Sequence, residues 1–331
     1  MDNSRYLSGM DPAEVYLKQD GEKKGISQIG KVAGICAIAY TVLQNVIPLP
    51  ITLIKPLYRI YISSLNYESI LLIVLSIFTL LVPFGIGGMW LGKKADREVF
   101  IFNKPKDPYL AVLAVSFGLF VCLAGNWIAS MATALSETLG FKLTSPDFAV
   151  PSDIPGRILY VVAIGIVPAL AEETAFRGAI LQPLRAYGDR FAIIMSSFVF
   201  AILHGNLIQA PFALLVGFAL GYICCITESL WPCIALHCIN NLYSVFTEFM
   251  LEDFTDEALL NKLYYGSFFA LLTISIIGSL LFFFAKENNK IKVRFNYLPT
   301  NKRVLAFFLN IPMIIAILIM LKITSEFVTR V

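Results

Sequence analysis

Charge is scarce in this chain. Asp, Glu, Lys and Arg make up 15% of its 331 residues, against about 25% in an ordinary soluble domain. Histidine is scarcer still, with only His204 and His237. Two histidines cannot build the histidine-rich di-iron site of a membrane oxygenase. No HExxH helix is present to hold zinc, and neither a metal nor any other cofactor is expected. The six cysteines (Cys36, Cys122, Cys224, Cys225, Cys233, Cys238) include no CxxC pair and sit in or beside apolar runs. They read as packing residues, not as a disulfide framework. Net charge is a mild +3, with no basic soluble domain, which excludes a nucleic-acid partner. No cleavable signal is expected, because the first 30 residues carry both charge signs and the first apolar run is too long for a signal core. No internal repeat is visible, which argues against an inverted-repeat transporter.

What the chain has in abundance is apolar sequence. Hydrophobic residues make up 57% and the mean hydropathy is +0.74. Several runs reach the roughly 20 residues that a helix needs to cross a bilayer: Val32–Ile54, Ile70–Leu91, Tyr109–Leu135 and Tyr265–Ala285. Val304–Leu321 is shorter. Between Arg157 and Met250 four more segments are expected, Ile158–Phe176, Phe191–His204, Pro211–Ile226 and Trp231–Phe249. The expected fold class is all-α, a polytopic membrane protein of about nine transmembrane helices. Its organisation reads as a polar cytoplasmic segment (1–31), N-terminal membrane helices (32–153), a motif-bearing core (154–250) and C-terminal membrane helices (251–331).

Lys and Arg alternate between connections. They gather in the N-terminal segment (Arg5, Lys18, Lys23, Lys24, Lys31), the second connection (Lys93, Lys94, Arg97, Lys104, Lys106), the stretch after the fourth run (Arg177, Arg185, Arg190) and the stretch before the last (Lys286, Lys290, Lys292, Arg294, Lys302, Arg303). The intervening connections are poorer in basic residues. By the positive-inside rule, this predicts a cell-membrane protein with a cytoplasmic N-terminus and an external C-terminus.

Chemistry is expected in the core, where ionisable side chains interrupt apolar runs and are costly to keep. Glu173 and Arg177 stand four apart with Glu first, the favourable order for an ion pair on one helix face. Glu172 is turned about 100° from that face, which leaves it free to act as a base. Phe200 and His204 share a face, as do His237 and Asn241. The functional reading is a water-activating site: Glu172 takes a proton from water, His204 orients that water, and His237 and Asn241 donate to an oxyanion. Taken singly, an intramembrane His or Asn is more often interhelical glue.

The order EExxxR, FxxxH, HxxxN resembles the CAAX-protease and bacteriocin-processing family of intramembrane glutamic endopeptidases, which includes the CAAX prenyl endopeptidases. Glu172, Glu173 and Arg177 match the first motif, Phe200 and His204 the second, and His237 and Asn241 the third. The resemblance runs from about Ile154 to Phe249. It implies peptide-bond hydrolysis by a glutamate- and histidine-activated water, with a His/Asn oxyanion hole. It assigns structural or substrate-positioning roles to Glu173, Arg177 and Phe200. The implied partners are a peptide or protein substrate, lipidated in the eukaryotic case, and the bilayer. A non-catalytic scaffold or immunity-type regulator that keeps the motifs is the alternative. In a simple serpentine, His204 falls late in its span, His237 early and Glu172 near the inner end, so the site closes only if the helix ends differ from these runs.

Overall fold

The computed structural model describes residues 10–285 and 290–330. Arg5 and Lys286, used in the charge argument above, lie outside the described residues.

The helices begin where the sequence carries a start signal. Helix α1, Pro12–Val46, opens with proline in its first turn after Asp11, whose carboxylate accepts the Ala13 N–H at 3.0 Å. It therefore starts well inside the segment expected to be polar and separate. Two short helical pieces, Leu49–Leu53 and Lys55–Tyr61, lead to α2, Leu65–Ala95. Asp107 caps α3, Pro108–Thr138, through the Leu110 N–H, and Asp153 caps α4, Ile154–Tyr187, through the Gly156 N–H, each at 3.0 Å. Then follow α5 (Asp189–Leu203), α6 (Gln209–Thr227), α7 (Trp231–Asp253), α8 (Glu257–Phe284), α9 (Thr300–Phe308) and α10 (Ile311–Glu326). The only strands among the described residues are β1 (Phe141–Leu143) and β2 (Val328–Arg330), paired antiparallel.

All nine expected segments fall on helix, but the count of nine spans is not confirmed. Among the described residues, six helices are long and apolar enough to cross a membrane, or seven if α9 and α10 together form one span bent by 73°. Asn310 makes that bend: its amide N–H donates to the Phe307 carbonyl and its oxygen accepts the Met313 N–H, ahead of Pro312. Helix α5 has 15 residues, about 22 Å at 1.5 Å per residue, which is short of the roughly 30 Å hydrocarbon layer. Helix α7 is long enough, but His237, Asn240, Asn241 and Glu248 make it too polar.

Small residues let the helices approach closely. A Cβ on Gly34 of α1 would lie 2.4 Å from the Met313 nitrogen of α10. Helix α6 packs on both α5 and α3, and α8 packs on α3.

The connections separate onto two faces of the bundle. On one, Glu228 receives both Lys106 and Lys292, the Asp189 carboxylate accepts the Lys292 N–H at 2.8 Å, and Glu22 accepts the N–H groups of Tyr297 and Leu298 at 3.0 and 2.7 Å. The two lysines hold the Glu228 carboxyl down to about 2. This is the basic face. On the other, β1 pairs with β2, Thr144 donates its N–H to the Phe327 carbonyl at 3.0 Å, and Arg157 meets Asp253 at 2.6 Å. Asp147, Asp153, Glu252, Asp253, Asp256 and Glu257 make this the acidic face.

Candidate active site

The fourth helix carries the first motif at its middle. Helix α4 continues to Tyr187, beyond the expected end at Phe176, so Glu172 and Glu173 lie deep within it. Two π-helical stretches, Val161–Ile166 and Thr174–Leu181, flank the pair. Such widened turns often accompany functional sites.

Glu173 and Arg177 are 0% exposed and meet at 3.1 Å. The cost of a buried ion pair falls as its other polar atoms find partners, and here that is only partly met, since Glu173 Oε2 and Arg177 Nε have none among the described residues. Here Arg177 donates from Nη2 to the Gly217 carbonyl of α6 at 3.3 Å. Its guanidinium lies over the Phe200 ring, 4.4 Å from the centroid, a cation–π contact in a dry site. Gly217 also lets α6 approach α5 closely, since a Cβ there would meet Ser197 Cβ at 2.9 Å. Glu173 Oε1 also receives His237 Nδ1 at 2.8 Å. Thus one buried carboxylate oxygen joins α4 to α7.

Phe200 acts as the central ring of the cluster. Its centroid is 5.0 Å from Phe176, 4.7 Å from His204 and 6.1 Å from His237, all near edge-on. Its carbonyl lies 2.8 Å from His204 Nδ1. A carbonyl can only accept, so Nδ1 carries the hydrogen. In the neutral ring Nε2 is then a lone pair. His204 caps the C-terminal end of the 15-residue α5, and the chain turns at Gly205 (φ +65°).

Glu172, Phe200, His204, His237 and Asn241 line one cavity of about 930 Å³. His237 Nε2 lies 3.8 Å from Glu172 Oε2, too far for a direct hydrogen bond but within reach through a water. Asn241 Nδ2 donates to the Ile164 carbonyl at 3.3 Å. That carbonyl faces Pro168 four residues on, which has no N–H to offer. One Asn241 hydrogen is engaged there, and the other remains for a ligand. Among the described residues, no group of three or more His, Cys, Asp or Glu side chains is arranged to hold a metal ion.

The sequence reading paired Glu173 with Arg177 alone and missed its bond to His237, 64 residues away in the chain. It also missed Gly217, Tyr160 and Glu248. The Tyr160 hydroxyl donates to Glu248 Oε2 at 2.8 Å, and both line the same cavity. The sequence signal for Glu248 was its helical phase with His237, Asn241 and Ser244 on α7.

Residues 154–243 match the family model described as type II CAAX prenyl endopeptidase Rce1-like. The match spans all three motifs and leaves the flanking helices outside it. No curated protein and no solved structure matches the chain. The matched residues 154–243 thus form a core similar to the CAAX-protease family. The protein is an integral multi-pass membrane protein, and its core resembles that of an intramembrane protease.

Proposed function

We propose that the protein is a glutamic intramembrane endopeptidase in which Glu172 and His204 activate water, and His237 and Asn241 stabilise the oxyanion. The observation that carries this reading is that these four side chains line one cavity within the helical bundle. A water donating one hydrogen to the Glu172 carboxylate and the other to His204 Nε2 points its lone pair at a bound peptide carbonyl. Attack forms the C–O bond as the proton passes to Glu172. The tetrahedral oxyanion then accepts hydrogen bonds from His237 Nε2 and Asn241 Nδ2. To donate from Nε2 while Nδ1 is bonded to Glu173, His237 must be the imidazolium. Glu173 and Glu172, at 2.8 and 3.8 Å, are its counter-charges. Collapse breaks the C–N bond, and Glu172 returns its proton to the leaving amine. One water is consumed, and a carboxylic acid and an amine are released.

Glu173, Arg177 and Phe200 are positioning residues in this scheme. They fix the orientation and charge of the His237 ring and hold α4, α5, α6 and α7 together. The test is a peptide-library digestion with purified protein in lipid, read by mass spectrometry. Products formed by wild type and absent with a folded Glu172→Gln variant support the reading. Products formed equally by both overturn it. A phenotype in cells that survives Glu172→Gln and His204→Ala would favour the scaffold reading.

A further inference from the structure

The catalytic cavity has a direction. Its rim is drawn from the acidic face: Glu137 at the end of α3, Asp147 and Phe148 in the following connection, and Thr247 and Glu248 in the last turns of α7. No residue of the basic-face connections lines it. Helix α7 supplies a polar stripe, His237, Asn241, Ser244 and Glu248, which lies at successive helical turns. It runs from the site toward the acidic face over about 16 Å at 1.5 Å per residue. Polar side chains at membrane depth belong beside water, so this stripe is the hydrated approach to the site.

The opposite direction is sealed. From Glu173 through Arg185 every residue of α4 is buried. The plug includes Phe176, Ile180, Leu181 and Leu184. Below them, Arg185 is bound to Asp189 at 2.9 Å and donates to the Cys225 carbonyl at 3.2 Å. A peptide cannot reach Glu172 from the basic face without dismantling this packing.

The basic face carries the Lys and Arg excess in its connections, which the positive-inside rule assigns to the cytoplasm. We infer that the catalytic cavity opens on the extracytoplasmic face, and that its substrates are peptide segments presented outside the cytoplasm or at the outer membrane surface. The word substrate rests on the proteolytic reading; the sidedness rests on charge placement and cavity shape alone.

The test is cysteine labelling in intact cells with a membrane-impermeant maleimide, in full-length protein with the native cysteines replaced. Asp147→Cys and Thr247→Cys report the cavity rim, and Lys104→Cys reports the basic face. Labelling of the rim cysteines in intact cells, with Lys104→Cys labelled only after lysis, is the expected result. Labelling of Lys104→Cys in intact cells, or rim cysteines that react only after lysis, overturns the inference. If labelling comes out as expected while Glu172→Gln still cleaves, the glutamic-peptidase reading fails and the sidedness stands.

Discussion

Glu173 Oε1 and His237 Nδ1 are 2.8 Å apart, and the Glu173 side chain is fully buried. The same oxygen holds Arg177. The second glutamate of the EE pair thus serves the imidazole on α7 while the first faces the cavity. Glu173→Gln should lower kcat about 100-fold or more with little change in KM, because His237 loses its fixed orientation and counter-charge. It should also destabilise the fold by about 3–5 kcal/mol, the usual cost of leaving one buried charge unpaired. Steady-state kinetics and thermal unfolding in the same lipid preparation check both. A variant that melts early yet keeps wild-type kcat would remove the positioning role.

Phe200 supports the Arg177 guanidinium with its ring face and takes both histidines at its edge. Phe200→Leu keeps apolar bulk and loses the ring, so it should cost about 2 kcal/mol from the cation–π contact in a desolvated site. Arg177→Lys should not restore function, because an ammonium cannot present the planar fork that reaches Glu173 and Gly217 together. Thermal midpoints of the two variants decide this.

Asn241 has a structural duty at the Ile164 carbonyl and a proposed chemical one. Asn241→Ala should lower kcat by about 100- to 1000-fold, as for loss of an oxyanion donor. If only the midpoint temperature falls and kcat per folded molecule holds, Asn241 serves α4 alone.

Glu228 ties two basic-face connections through Lys106 and Lys292, and its carboxyl titrates near 2. In the unfolded chain it titrates at about 4.3. The folded value is depressed, so its contribution is fully present above the unfolded value and is lost as pH falls toward 2. The stability gap between wild type and Glu228→Gln should therefore be constant near neutrality and close between about pH 4.5 and 2. Thermal melts across that range measure it, and a gap independent of pH contradicts the assignment.

The membrane helices and the motif order were legible because apolar run length and helical spacing are local properties. The start of α1 was written in Asp11-Pro12 and the break before α10 in Asn310-Ile311-Pro312. Both signals lie outside the apolar runs or within one, and a hydropathy reading passes over them. Length and apolarity do not confirm the span count at α5 and α7. The first is shorter than the hydrocarbon layer, and the second carries polar residues of which several line the cavity. The bond from Glu173 to His237 joins separate helices, so no spacing rule could show it. Asn241 to Ile164 was hidden likewise, since Pro168 marks the orphaned carbonyl but not the side chain that answers it.

The most direct test of a shared, activated water is the cleavage rate of one identified peptide by wild type, Glu172→Gln, His204→Ala and the double variant. Each protein must first be shown folded by its melting profile. Each single change should lower kcat/KM by about 100- to 10,000-fold. The double change should cost little more than the worse single one, because both groups act on the same molecule. A Glu172→Gln variant that cleaves at the wild-type rate would contradict the account.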